Sequence, residues 1–308
     1  MQRPIRFSTG VLLLVLLALG ASARLASAEQ NPDWTTPLPP FHIAGNLYYV
    51  GSRDLASYLI ATPDGDILIN SNLQSSPPLI QKSVETLGFK FTDIKILLIS
   101  HAHSDHDAGS AEILKKTGAK YMVMDADVAV VESGGRKDFA YPNDLYPATR
   151  VDRVLHDGDQ VRLGGTVLVA HKTPGHTPGC TTWTMQVADH GKPRNVVIVG
   201  SWNVNPGFRL VDRPGKPASY PGIVADYERT FAVLQSLPCD IFLGAHGAYF
   251  GMLEKLKKAK AGDKDVWIDP TGYQNMVEER KRAFEAELKK QQQAWIGFDT
   301  PRRQVRVG

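Results

Sequence analysis

The chain has 308 residues, 43% of them hydrophobic and 22% charged, which suits one large domain or two small ones with a core of their own. Lys and Arg number 35 against 32 Asp and Glu, but Arg3, Arg6 and Arg24 precede residue 29 and no acid does, so residues 29–308 balance at 32 against 32. That neutrality leaves no electrostatic case for binding nucleic acid or an anionic membrane.

Residues 1–28 read as a secretory signal peptide. Arg3 and Arg6 precede an apolar run from Val11 to Leu19, and small-residue steps follow at Ala21–Ser22–Ala23 and Ala26–Ser27–Ala28. The run is too short for an ordinary membrane span and no Cys follows it to carry a lipid, so export without a stable membrane anchor is expected. Residues 29–308 are expected to form a single domain. Export implies an oxidising compartment, yet the only cysteines are Cys180 and Cys239, and neither lies in a CxxC pair. One disulfide and two buried thiols are both open at this stage.

The Pro-rich segment from Asn31 to Pro40 reads as an extended arm. Short β-type runs follow at Asn46–Gly51, Ala56–Thr62, Gly65–Ser71 and Ile94–Ser100, with Pro63-Asp64-Gly65 as a hairpin turn. Ser76–Gly88 and Ser110–Gly118 have an early Ser or Pro and a terminal Gly, and read as helices. The second half repeats the style. "KYMVMD", "RVLHDGDQVRLGGTVLVAHKT", "TTWTMQV", "RNVVIVGS" and "CDIFLGAHG" read as strands. Val224–Pro238 reads as a helix, and "TGYQNMVEERKRAFEAELKKQQQ" as a terminal amphipathic one. Two β-rich halves with outer helices suggest an α+β fold, a four-layer αββα sandwich; element order alone also allows a generic α/β fold.

The chemistry concentrates in "HAHSDHDAG", directly after the apolar run Ile94–Ser100. His101, His103, Asp105 and His106 form H-x-H-x-D-H at the end of a buried strand. Alternation along extended backbone places His101 and His103 on one side, while Asp105 and His106 lie at the turn and face a second point. One loop can then serve two metal ions. Gly109 lets the chain fold back before the next helix. His176, in "HKTPGHTPGCTTW", and His246, in "FLGAHGAYF", sit at comparable strand ends. The chain has nine histidines; His42, His156, His171 and His190 lack this context and read as structural or surface residues. Imidazole and carboxylate suit zinc, with iron and manganese open on residue type alone. Zinc lowers the pKa of bound water to about 7, which points to hydrolysis.

With these motifs the sequence resembles the metallo-β-lactamase superfamily over nearly the whole chain after residue 28. H-x-H-x-D-H and "TPGHTPG" are that family's landmarks, and its fold is the αββα sandwich. The resemblance implies two Zn2+ per chain, one held by His101, His103 and His176 and one by Asp105, His106 and His246. Thioesterases, lactonases, nucleases and sulfatases of the superfamily usually place a bridging Asp after the next strand; here that stretch is "VVIVGSWNVNPGF", and Ser201 stands in its place. The site therefore resembles subclass B3 β-lactamases, as do "GHTPGCTTWT", "NPGFRLV" and "WIDPTGY".

What the resemblance implies is hydrolysis of the β-lactam amide of small-molecule antibiotics by a metal-bound hydroxide that Asp105 orients, in a periplasmic monomer. A dizinc hydrolase of the same fold acting on a lactone or thioester is the alternative. Ser201 and Asn205 are candidate substrate-binding residues, with a plain turn role open for Asn205. Phe208 stands where some members carry Tyr, and so brings no hydroxyl. Val131–Phe139 reads as a loop flanking the pocket, or its Gly pair as a plain turn. Cys239 resembles half of a B3 disulfide whose usual partner is missing here, so two free thiols are expected.

Overall fold

The computed structural model describes residues 31–296. The expected signal peptide lies outside the described residues. Two sheets form from twelve strands: β1 (Phe41–Ala44), β2 (Leu47–Tyr49), β3 (Tyr58–Thr62), β4 (Gly65–Ile69), β5 (Ile94–Leu98), β6 (Lys120–Met124), β7 (Arg153–Leu155), β8 (Gln160–Leu163), β9 (Thr166–Lys172), β10 (Thr181–Asp189), β11 (Lys192–Val199) and β12 (Ile241–Gly244). The first sheet runs β1 to β7 in chain order, and the second β12-β11-β10-β9-β8. Seven helices accompany them: α1 (Pro77–Thr86), α2 (Ser104–Asp107), α3 (Ser110–Thr117), α4 (Val128–Glu132), α5 (Ile223–Ser236), α6 (Met252–Lys260) and α7 (Pro270–Ile296).

Alternation along the strands builds the layers. Ile60, Ile67, Ile69, Ile96, Leu98, Met122 and Met124 join the core shared with the second sheet. Their neighbours Leu59, Leu68, Leu97, Tyr121 and Val123 join a separate core with Ile80 and Val84 of α1 and Ile113 of α3. Trp183 of β10 ties the two sheets, its indole N–H donating to the Ile99 carbonyl at 3.1 Å. Behind the second sheet, Phe242 of β12 meets Tyr273 of α7 edge-on, and Tyr227 of α5 stacks on Phe284 of α7. The order is helix, sheet, sheet, helix, the expected αββα sandwich.

The expected hairpin is present, Thr62 pairing with Gly65. The division between halves differs from expectation. "KYMVMD" and the first strand of the long β-run are β6 and β7, which extend the first sheet in parallel beyond β5. The second sheet begins only at β8. The arm at residues 31–40 is not wholly extended: Pro32–Trp34 form one 3-10 turn before Pro37 bridges to Ser52. Among the described residues no helix is long and apolar enough to cross a membrane. Both cysteines are free thiols, as expected, and Cys180 is fully buried.

Candidate metal centre

Four strand ends deliver the site. His101 follows β5, His176 lies between β9 and β10, Ser201 follows β11, and His246 follows β12. The H-x-H-x-D-H stretch is half loop and half helix. His103 is still extended, and Asp105 and His106 sit on the single turn α2. The turn therefore separates two donor sets, as the spacing suggested. One donor atom from each of His101, His103 and His176 lies within 4.8 Å of the others. On the other side, His106 Nε2 is 3.2 Å from His246 Nε2, and Asp105 Oδ2 is 3.3 Å and 3.5 Å from the same two atoms. His101 also lies within 4.8 Å of Asp105 and His106, so it stands between the sets.

Neighbouring backbone braces that turn. The loop after β4 holds Asn70 and Asn72 at φ of 67° and 58°, the left-handed region. Asn70 Oδ1 accepts from the backbone N–H and hydroxyl of Ser100, and the N–H groups of Ser71 and Asn72 both donate to the His106 carbonyl. Gly109 has an ordinary φ of −80°. Its role is close approach instead, because a Cβ there would lie 2.5 Å from the Ser71 carbonyl oxygen.

Three buried carboxylates outside the motif organise the ligands. Asp127 Oδ2 accepts from the Ala102 N–H, between His101 and His103, and from the Thr177 hydroxyl, beside His176. Its Oδ1 accepts from the Gly179 N–H, so one carboxylate joins both loops of the first set. Burial pushes Asp127 up to about 6 against those three hydrogen bonds. Asp54 Oδ2 accepts from His246 Nδ1 at 2.9 Å. Asp138 Oδ2 lies 3.3 Å from His103 Nε2. No local motif marks these three, and each is far in sequence from the histidines it serves.

The electrostatics prepare four of the five histidines as neutral donors. Burial holds His101 far below the usual histidine range and takes His103 to about 4, with His106 and His176 at about 3. Burial also lowers His246, but hydrogen bonds with Asp105 and Asp54 outweigh it and raise this imidazole to about 9. Asp105, although buried, is held well below the usual carboxylate range by His106 and His246. Both ring nitrogens of His101 and the Nδ1 of His106 are buried with no hydrogen-bond partner. Buried polar atoms left without partners are costly, and lone pairs converging from imidazole and carboxylate fit a divalent cation.

The remaining predicted residues border this cluster. Ser201 is 1% exposed, and its hydroxyl lies 3.2 Å from the Tyr249 hydroxyl, which also accepts from Asn203 Nδ2. Tyr249 packs against His246, so Ser201 meets the cluster through that phenol. Asn205 donates to the Tyr141 hydroxyl at 2.9 Å, and Tyr141 stands edge-on to His103. The Gly134–Gly135 pair closes α4, their N–H groups returning to Val131 and Val130. The segment beyond it flanks the site, with Phe139 packed on Phe208 and Tyr220. Phe208 itself lies 6.0 Å from the His176 ring.

The sequence profile described as metallo-beta-lactamase superfamily matches residues 53–246, which contain all six converging donors. The chain belongs to the metallo-beta-lactamase superfamily. It is a metal-dependent hydrolase of that superfamily, and its architecture is that of the B3 subclass. The native FEZ-1 metallo-beta-lactamase from Legionella gormanii is 56% identical, with a TM-score of 0.81 over 83% of this chain and 98% of that one. The class B3 di-zinc metallo-beta-lactamase LRA-12 from an Alaskan soil metagenome is 36% identical, with a TM-score of 0.76 over 83% of this chain and 97% of that one. A hydroxyacylglutathione hydrolase of Rhodopseudomonas palustris (strain BisB5) is 30% identical over 125 residues, 40% of either chain. The chain thus spans less than half the length of such curated relatives.

Proposed function

We propose that the protein is a zinc-dependent β-lactamase that opens the amide of β-lactam antibiotics. The observation that carries this reading is the composition of the second donor set. Asp105, His106 and His246 converge there, and the residue after β11 that would add a bridging carboxylate is Ser201, whose hydroxyl is turned to Tyr249. His101, His103 and His176 would hold one Zn2+, and Asp105, His106 and His246 another. Bound zinc supplies a water ionised near neutral pH and a Lewis acid for the carbonyl oxygen.

The chain's own residues orient these parts. His176 donates from Nδ1 to the Asn203 carbonyl, which leaves its Nε2 lone pair for the site. Asp105 stays ionised and accepts a hydrogen bond from the attacking water, aiming it at the lactam carbonyl. Asn205, tied to Tyr141, presents an amide and a phenol along one wall, where they meet the polar groups of the substrate. Ser201 acts from beneath, through Tyr249. Only Leu145 and Val154 are exposed large hydrophobic residues among the described ones, which favours a monomer. Periplasmic location rests on the pattern in residues 1–28.

A second reading, hydrolysis of a hydroxyacylglutathione thioester, takes its support from the relatives named for that activity. Side-by-side kcat/KM values for a carbapenem, a cephalosporin and a hydroxyacylglutathione thioester separate the two. Turnover of the β-lactams with the thioester inert supports the first reading. Thioester turnover alone overturns it.

A further inference from the structure

Asp54 belongs to neither donor set, yet it is built into the second one from two directions. Its Oδ2 accepts from His246 Nδ1 at 2.9 Å and from the Trp34 indole N–H at 3.1 Å, while Oδ1 accepts from the Ala248 N–H at 2.9 Å. Its main-chain carbonyl accepts from the Gly247 N–H at 2.6 Å. Asp54 therefore grips the His246–Ala248 turn by side chain and backbone together, and it is only 8% exposed.

Trp34 arrives from the N-terminal arm. Its ring lies 5.8 Å from that of His246, on the side where the indole N–H reaches Asp54. The arm is fastened to the same segment. The Asp33 carbonyl accepts from the Asp54 N–H and the Ser52 hydroxyl, and Arg53 pairs with the Asp33 carboxylate at 2.8 Å.

A carboxylate that accepts the Nδ1 proton of an imidazole fixes its tautomer and leaves the Nε2 lone pair for a cation. His246 Nε2 is the atom that faces Asp105 and His106. We propose that Asp54, held in place by Trp34, is the positioning residue of the second cation site, and that the N-terminal arm is thereby part of the metal centre. The inference rests on reading Asp105, His106 and His246 as ligands. It assigns a site-selective role: the geometry links Asp54 and Trp34 to His246, whereas Asp127 performs the joining role for His101, His103 and His176.

The test is a Zn2+ titration of the metal-free chain and of two variants. Asp54→Asn keeps the volume and an oxygen acceptor but loses the charge. Trp34→Phe keeps a ring but loses the N–H. The second equivalent of Zn2+ should bind Asp54→Asn about 10–100-fold more weakly, the range for loss of a ligand's outer partner. The first equivalent should be unchanged, and Trp34→Phe should show a smaller loss of the same kind. In 15N-correlated spectra of the loaded protein, the His246 Nδ1 proton should be protected from exchange with water in the wild type and should exchange faster in Asp54→Asn. Unchanged second-site affinity in Asp54→Asn overturns the proposal, as does equal weakening of both equivalents, which marks general loosening. Should Asp54→Asn fail to fold, Trp34→Phe decides alone, and an unaltered second equivalent in that folded variant overturns it. A wild-type chain that takes up a single Zn2+ removes the ligand assignment, and the inference falls with it.

Discussion

Asp105 is the carboxylate of the second donor set. Its carboxylate approaches His106 and His246 at 3.3 Å and 3.5 Å, and it stays ionised although buried because those imidazoles hold its proton affinity down. Asp105→Ala removes the charge that offsets a divalent cation in the second set. The expected outcome is loss of one of two bound Zn2+ by elemental analysis and a fall in β-lactam kcat of roughly 100-fold or more, beyond the range for removing an outer partner. A variant with full zinc content and full turnover contradicts the ligand set. The six converging donors were legible because five of them are histidines at strand ends and four lie within one hexapeptide. Asp54, Asp127, Asp138 and Tyr141 were not. Each lies far in sequence from the histidines it serves, and its role is created by backbone that folds back from far away, as when Asp127 bonds Ala102 and Gly179 together.

Elements bring their own burdens, and Asp66 in β4 shows one. It is 4% exposed, and burial together with the neighbouring Asp93 pushes its carboxyl up to about 6, against hydrogen bonding near Thr62 and the charge of Lys95. A group whose folded pKa lies above its unfolded value binds more protons in the native state between the two. Stability therefore falls as pH rises from about 4 to about 6 and stays lower above that window. Asp66→Asn should raise stability at pH 7 by about 2 kcal/mol, less at pH 4, and flatten this part of the profile. Equal urea midpoints for variant and wild type at pH 7 contradict this. Most elements followed from apolar alternation and from caps such as the Gly118 that ends α3. The short strand β1 was passed over because four residues barely establish a period. The helix α6 was passed over because "MLEKLKKAK" is dominated by charge, with only Met252 and Leu256 buried. That β6 and β7 join the first sheet is a pairing between distant segments, which local pattern does not encode.

At the scale of the whole molecule, two sheets pack so that four strand ends open on one cluster, and the helices cover the outer faces. The sandwich is the scaffold on which several superfamily chemistries are carried, so fold alone does not select the substrate. The β-lactamase proposal takes its support instead from an all-nitrogen first set, an Asp-His-His second set and a serine after β11. In the proposed function, these donors hold the zinc on which β-lactam hydrolysis depends. Hydrolysis of a chromogenic cephalosporin by residues 29–308, followed before chelation, after chelation and after Zn2+ is returned, tests it. Turnover should be abolished by chelation and restored by Zn2+, with two Zn2+ per chain at full activity. Turnover indifferent to chelation, or no turnover in a protein that holds both Zn2+ ions, would contradict it.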